Sequence, residues 1–503
     1  MHGKIYPLLG AGLALTALLF VVVQLVPREQ ASSQEKVYVA LEGEGSIAVL
    51  DGEHGTLIKK IPLSEKDGVQ YMPHNVQVSP DGLTVWVTAN AAMKEEHAGF
   101  RFVEIAHADT DHEDTESMSD QVIAINPETD TIVRRIPIGM DQHLSHIVQS
   151  TGGSTVLVAA QETDTIYVLD AQSMTLTRRI ELPHGSGPHG MRLSPDNEVL
   201  YVALLAGRAL GIVDVDSGSV KTVALDGVAV QTAVTPDGLY VAVSLYDSRN
   251  VAIYAPSSGT LEYIAMPDGS QGPLQLYPSN DSRSIYVADQ GVLEGRAAGK
   301  TLVKIDLSSR SVTDVVEVGL APHGVALNAD GTRAYVTNLK SNSVSIIDTT
   351  TMRKITDAVV GTEPNGISVW NGSVTKTAQE SLRGAMMTVY KSPTCGCCGN
   401  YIAELRRHGV TVVVEEKSDA EMTALKRHMG VDIGLESCHT SVIDEYIVEG
   451  HVPMEAIVAL RSERPNIAGI ALPGMPAGSP GMSGVKSGPF EVKTLNGNTF
   501  GSF

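Results

Sequence analysis

Residues 321–357, APHGVALNADGTRAYVTNLKSNSVSIIDTTTMRKITD, are one copy of a unit that recurs about seven times, and no other feature constrains the fold as strongly. The unit holds four short runs of alternating apolar residues, HGVALN, TRAYVTN, SVSIIDT and RKITDAV, separated by turn signals such as Ala-Asp-Gly and Asp-Thr-Thr-Thr. Four antiparallel strands of that length form a small twisted sheet with an uncovered apolar face. Copies must therefore stack, and a four-stranded period of about 40 to 45 residues predicts a β-propeller.

Aligning the segment that precedes each Ser-Pro-Asp-Gly-like turn places His74, Ser145, His189, Val230, Leu274, His323 and Asn365 in one column. Successive spacings are 71, 44, 41, 44, 49 and 42 residues, so one long insertion lies in the first copy. The second half of the unit recurs as well, from VLDGEHGTLIKKI to IIDTTTMRKITDA, which gives seven blades. The array begins at a second strand, KVYVALEG from Lys36, and ends with a lone first strand, NGISVW after Pro364. The two ends are expected to complete one blade between them, leaving no open edge.

The repeat, with Ala334-Tyr335-Val336-Thr337-Asn338 as its clearest copy, resembles the YVTN family of propellers found in surface-layer proteins, and is similar to the N-terminal domain of nitrous-oxide reductase. The resemblance covers residues 36–372 and implies an all-β seven-bladed propeller. It implies little about activity, since propellers host many.

Before the array, Ile5 to Pro27 form an apolar run between Lys4 and Arg28. It is long enough for a membrane span, which needs ~20 residues. No A-x-A cleavage pattern follows it, so residues 1–35 are read as an uncleaved signal-anchor transmembrane helix with a short linker, and the rest as exported to the periplasm or its equivalent. The formal net charge of −21 argues against nucleic acid or anionic lipid as partners. All four cysteines follow residue 390, so no disulfide framework holds the propeller.

The aligned column lies at the start of the innermost strands, on the face where second strands hand over to third strands. His74, His189 and His323, with His143 and His146 flanking Ser145, should therefore ring the upper mouth of the channel, as a candidate metal site or a surface for an exported protein partner. Pro-His-Gly can equally be a turn element whose imidazole bonds the backbone, and Val230 and Leu274 interrupt the ring. The long insertion, residues 91–121, carries His97, His107 and His112 among many carboxylates and falls on the same face, as does a shorter one from Gln290 to Lys300. It is either a solvated acidic loop or a cover for the channel.

A polar linker, residues 373–385, leads to a second domain, residues 386–503. Its pattern is strand Met387–Tyr390, then Cys395-Gly396-Cys397-Cys398, helix Gly399–His408, strand Val410–Glu415 and helix Asp419–Met429. A C-x-x-C pair between strand and helix predicts a small α/β thioredoxin-like fold, whose helix N-terminus favours thiolate. Where such folds place a proline beside that loop, this chain has Cys438-His439. Cys395, Cys397, Cys398, Cys438 and His439 are the main metal-site candidates, with copper(I) the expected ion and zinc the alternative. Neighbours at a helix start point ~100° apart, so Cys395, Cys398 and Cys438 are expected as the core, with Cys397 or His439 in a variable fourth position.

The segment also resembles a family of small exported thioredoxin-like proteins of unassigned function associated with metal binding and copper resistance. The match rests on Thr394 to Cys398, Cys438-His439-Thr440, Val448-Glu449-Gly450-His451-Val452-Pro453, Gly469 to Pro476 and Pro480-Gly481-Met482. Met475 and Met482 are further possible ligands. The sequence is thus read as a metal-handling protein with no committed enzymatic activity. A thiol-disulfide or copper-dependent oxidoreductase is the alternative, and a purely structural surface protein would leave the cysteines idle.

Overall fold

The computed structural model describes residues 1–3, 35–64, 69–93, 118–151, 155–292, 295–371, 382, 384–482 and 489–503. The chain divides into units Met1–Ser33 and Gln34–Phe503. Of the first, residues 1–3 are described, so the expected span Ile5–Pro27 lies outside the described residues. Among those that are described, no helix is long and apolar enough to cross a membrane. Most of the insertion and nearly all of the linker also fall outside them.

Seven four-stranded antiparallel sheets form the propeller. The first complete blade is Val69–Val78, Val85–Met93, Asp120–Asn126 and Thr131–Gly139. Five more follow in sequence order, with first strands Leu144–Gln149, Pro188–Leu193, Ala229–Val234, Pro273–Pro278 and Pro322–Leu327. The seventh is the composite blade expected from the phase of the repeat. Pro364–Trp370 pairs with Lys36–Leu41, followed by Ser46–Asp51 and Leu57–Pro62. Val39 pairs with Ile367 on one side and Ala48 on the other, so the chain's two ends share one ladder. First strands touch their neighbours all round the ring, Pro364–Trp370 meeting Val69–Val78.

The repeated Tyr-Val-Thr-Asn has a physical role in each position. Val336 is buried between sheets, where a β-branched side chain fits the pleat. The Tyr335 hydroxyl donates to the Gly52 carbonyl of the composite blade at 2.7 Å. Thr337 Oγ1 accepts from the Gly324 amide (2.7 Å) and donates to the Asn365 carbonyl of that blade (2.7 Å). Asn338 Oδ1 accepts from the Gly319 amide, tying the loop into the next first strand. Apolar clusters lie between sheets, and hydroxyls bridge one blade to the next.

The C-terminal domain has one seven-stranded sheet: β1 (Met386–Lys391), β2 (Thr411–Glu416), β3 (His439–Ile443), β4 (Tyr446–Glu449), β5 (Gly469–Ala471), β6 (Glu491–Thr494) and β7 (Thr499–Ser502). Their order is β2-β1-β3-β4-β5-β6-β7, with β2 parallel and β3 antiparallel to β1. Three helices, α1 (Gly396–Arg407), α2 (Asp419–His428) and α3 (Met454–Glu463), join these strands. Ser418 caps α2 through a capping box with Glu421, as Ser-x-x-Glu predicts. Tyr401, Leu405, Val448, Ile457 and Leu460 lie in the domain core.

The domain packs on the propeller through the helix that follows the cysteines. Ser282 Oγ donates to Asn400 Oδ1 at 2.8 Å. At Gly399 an added Cβ would stand 2.8 Å from Asp237 Cβ and 3.0 Å from its Cα, so only glycine allows this approach. Ala403 and Arg407 close one wall of a cavity of ≈ 270 Å³ whose other lining residues, among them Gln149, Arg192, Pro195 and Tyr277, come from the lower ends of propeller blades.

Closure by the shared ladder makes Val39→Pro a severe change, because it removes a pairing N–H in a strand bonded on both sides. It should cost ~3 kcal/mol or more. Ile58→Ala, on an exposed outermost strand, should stay within ~0.5 kcal/mol. Urea unfolding of the two variants checks the contrast.

Candidate metal centre

The sulfurs gather where α1 begins. That helix starts at Gly396, three residues before the expected Gly399, with Cys395 at its N-cap. Cys397 therefore sits in the first turn, close to the positive end of the helix dipole. Cys395 and Cys398 form a disulfide, and Cys398 is fully buried. Cys397 Sγ lies 3.5 Å from Cys395 Sγ and 3.8 Å from Cys438 Sγ. The expected arrangement is thus corrected in its detail. Cys397, rather than Cys398, faces Cys438, because the earlier helix start turns Cys398 inward.

Cys438 is met by two imidazoles. His451 Nε2 is 3.0 Å from its Sγ and His439 Nδ1 is 3.4 Å away. His451 Nδ1 donates to the Pro480 carbonyl at 2.6 Å, which leaves Nε2 as the lone-pair nitrogen facing the sulfur. Pro480-Gly481-Met482 thereby contributes a carbonyl that orients a histidine. A Cβ on Gly481 would meet the Tyr401 amide nitrogen at 2.5 Å, so glycine is needed for that segment to lie against α1. Met475 is exposed and Met482 half-buried. Both imidazoles are fully buried and stack around Tyr401. His439 Nε2 has no hydrogen-bond partner among the described residues.

Two overlapping groups have ligand atoms within 4.8 Å of one another: the four cysteines, and Cys438 with His439 and His451. Thiolate, imidazole and an orphaned buried nitrogen together are a donor set for a soft or borderline ion. The hydrogen bond from Cys438, and then His451, push the Cys397 thiol down to about 4. That same hydrogen bond, with burial, pushes Cys438 up, so Cys397 is the thiolate of the pair. Burial, with His451 and Lys426 nearby, holds His439 well below the ordinary histidine value, which keeps a lone pair available.

A buried ion pair holds the Cys438 loop. Glu449, fully buried, accepts from the Ser437 amide (2.6 Å), Thr440 Oγ1 (2.6 Å) and Lys426 of α2. Lys426 also donates to Thr440 Oγ1 at 2.9 Å. Burial pushes the Glu449 carboxyl up, and Lys426, Thr440 and the Ser437 amide pull it back.

At the other end of the propeller, the first strands carry a register shift at the aligned position: between Pro73 and Asn75, Pro188 and Met191, and Pro322 and Val325. Each bulge re-aims the intervening histidine. A glycine after His189 and His323 lets the next blade pass, since a Cβ on Gly324 would stand 2.6 Å from the Asn365 carbonyl oxygen, whereas Asn75 follows His74. The His74 ring centroid lies 5.6 Å from that of His143, 5.7 Å from His189 and 6.4 Å from His323. His143 takes a left-handed backbone (φ 49°), its amide donating to Asp120 Oδ2 at 3.0 Å. His146 stands apart from these four as a cation ligand. Its Nε2 accepts from buried Arg192 at 2.8 Å, which no cation site tolerates. Ser145 Oγ donates to the Pro188 carbonyl.

Sequence reasoning missed two residues. His451 lay within a quoted motif without being assigned a role, although a histidine two residues beyond a buried glutamate on β4 was the available signal. Glu42, in a short 3-10 turn after Lys36–Leu41, approaches His74 Nδ1 at 3.4 Å and accepts from Asn365 Nδ2 at 2.5 Å. Burial would raise its carboxyl, but His74, Asn365 and His323 hold it below the ordinary value. The shorter insertion folds back, with Arg296 over the Tyr246 ring and bonded to its carbonyl.

Lys426→Met leaves Glu449 as an unpaired buried charge and should cost about 3–5 kcal/mol. Faster alkylation of Cys438 should accompany the fall in melting temperature. The channel histidines predict a pH effect. Burial and then His74 lower His143 to about 4 and His189 and His323 to about 3. Above pH ~6.5 these imidazoles are neutral in both folded and unfolded chains. Below it the unfolded chain takes up protons that the fold refuses, so stability falls between pH 6.5 and 4. Each such imidazole should contribute ~1.4 kcal/mol per pH unit, and His323→Gln should flatten the slope measured by urea unfolding.

A model of the YNCE-like beta-propeller matches residues 108–369, and one of a protein family of unknown function, DUF411, matches residues 435–482. No curated protein matches the sequence. Among solved structures, the chain is similar to the Pseudomonas aeruginosa periplasmic gluconolactonase PpgL, at 17% identity over 67% of this chain and 99% of that one, with a TM-score of 0.51. It is also similar to Kuenenia stuttgartiensis hydrazine synthase, at 18% identity over 62% and 94% of the two chains, with a TM-score of 0.47. At such identities the likeness concerns the fold alone. The first family model spans more than half of the sequence, and with its seven blades and its C-terminal DUF411 segment the chain belongs to the YNCE-like beta-propeller family.

Proposed function

We propose that this is a metal-handling protein whose cargo is copper(I) or a similarly soft ion, held by the C-terminal cysteine and histidine cluster. The single observation that carries this is the convergence of Cys395, Cys397, Cys398 and Cys438 with buried His439 and His451. Thiolates select copper(I) or zinc over hard cations. A sulfur-rich set with a low-lying Cys397 thiol favours copper(I), whereas a closed zinc site would take four ligands at once. The strand order β2-β1-β3-β4, with α1 starting at the C-x-x-C loop, supports a thioredoxin-like reading of the domain. Cys438 stands just before β3, next to that loop. The apolar run Ile5–Pro27 supports export and anchoring in a membrane, with the site on the outer side. The propeller is then a platform that seats α1 and leaves its opposite face to a partner.

The disulfide makes cargo binding depend on redox state. Joined, Cys395 and Cys398 withhold two sulfurs. Two electrons and two protons from an external reductant break the S–S bond into two thiols and complete the four-sulfur set. Cys397 Sγ, 3.5 Å from Cys395 Sγ, also favours a second reading, a thiol-disulfide oxidoreductase.

Competition between the reduced full chain and a colorimetric copper(I) chelator distinguishes the two. Cys438→Ser and Cys397→Ser should each weaken copper(I) binding at least ~10-fold, since loss of a partner that merely orients a ligand already costs ~10–100-fold. The unreduced chain should bind less than the reduced one. Equal affinity in wild type and Cys438→Ser, or disulfide turnover requiring only Cys395 and Cys398, would favour the oxidoreductase.

A further inference from the structure

We propose that the upper mouth of the propeller channel is a second cation site, for a borderline divalent transition metal such as zinc or cobalt(II). His74, His189 and His323 are its ligands and Glu42 is its charge partner. The site is independent of the cysteine cluster, being built by propeller blades at the end opposite the one on which α1 packs.

Three observations carry it. The first is convergence. An imidazole ligates zinc at about 2.0–2.1 Å, so two rings on one ion have centroids about 5 to 6.5 Å apart. The separations from His74 to His189 and His323, 5.7 and 6.4 Å, fall in that range. The second is the backing that two of the rings have. His189 Nδ1 donates to the Val230 carbonyl at 2.9 Å, and His74 Nδ1 faces both the Glu42 carboxylate at 3.4 Å and the Asn365 side-chain amide nitrogen at 3.3 Å. Metal-binding histidines are held in this way, with the second nitrogen directed to the ion by a carbonyl or carboxylate behind the first. The third is unmet demand. His323 Nδ1 and Asn365 Oδ1, on side chains that are 2% and 0% exposed, have no hydrogen-bond partner among the described residues. A buried polar atom left so costs about 1–3 kcal/mol, and a ligand nearby would relieve it. The bulges that aim these rings at the axis recur in several blades, but a histidine fills the position in only some of them.

The rings are not among the groups whose ligand atoms lie within 4.8 Å of one another, so side chains must close on the ion by a small rotation. His143 sits where it can follow as a fourth ligand.

Cobalt(II) titrated into the full chain, with its thiols first alkylated by iodoacetamide, tests the site. One equivalent should bind, with the visible absorption of nitrogen and oxygen ligands and no thiolate charge-transfer band. His74→Ala and His323→Ala should each weaken binding at least ~10-fold, and Glu42→Gln, a positioning residue, about 10–100-fold. If the alanine variants lose their β-sheet circular dichroism, copper(II) paramagnetic resonance of the alkylated wild-type chain decides instead. Coupling to three or more nitrogens supports the site. The proposal is overturned by no binding at one equivalent, by binding that ignores the His74 and His323 substitutions, or by coupling to fewer than three nitrogens.

Discussion

The ladder between Lys36–Leu41 and Pro364–Trp370 is the constraint on which the rest of the structure depends. A four-stranded blade cannot bury its own apolar faces, and an open array would leave two unpaired edges. Pairing the chain's beginning with its end covers both at once. It also brings Glu42, from the N-terminal strand, to Asn365 and His74, so the channel mouth exists only in the closed ring. Hydroxyl bridges such as Thr337 to Asn365 and Tyr335 to Gly52 lock the composite blade to its neighbour.

Closure also fixes where the cysteine domain begins. The chain leaves the innermost strand of the composite blade at Trp370, and α1 packs on the lower turns at Asp237 and Ser282. The glycines of Cys-Gly-Cys-Cys-Gly thus have separate tasks. Gly396 opens the helix, while Gly399 lets it touch the propeller. The Cys438 thiol, the His451 imidazole and a helix N-terminus then combine to make Cys397 the thiolate. The Lys426–Glu449 pair holds the opposing loop in place at the cost of burying two charges.

Much of this was legible in the sequence because it is periodic. The blade count, the composite blade and the column of histidines follow from a repeat whose phase can be read residue by residue. The strand-helix alternation after Met386 was legible for the same reason. Side-chain direction at the cysteines was not, since it hung on whether α1 starts at Gly396 or Gly399, a shift of most of one turn. The role of His451 was hidden because its orienting carbonyl, Pro480, lies 29 residues away. Glu42 was hidden by closure, which sets it beside Asn365, a residue 323 positions distant. His146 had the right neighbourhood in sequence, but Arg192 on the next blade's first strand claims its nitrogen.

The account's central claim is that sulfur from the two cysteine segments meets on one ion. X-ray absorption of the reduced full chain loaded with one equivalent of copper(I) addresses it most directly. The account predicts a first shell dominated by sulfur, drawn from both the Cys395–Cys398 loop and Cys438, that loses a sulfur scatterer in Cys438→Ser. A shell of nitrogen and oxygen alone, or one unchanged by that substitution, would contradict it.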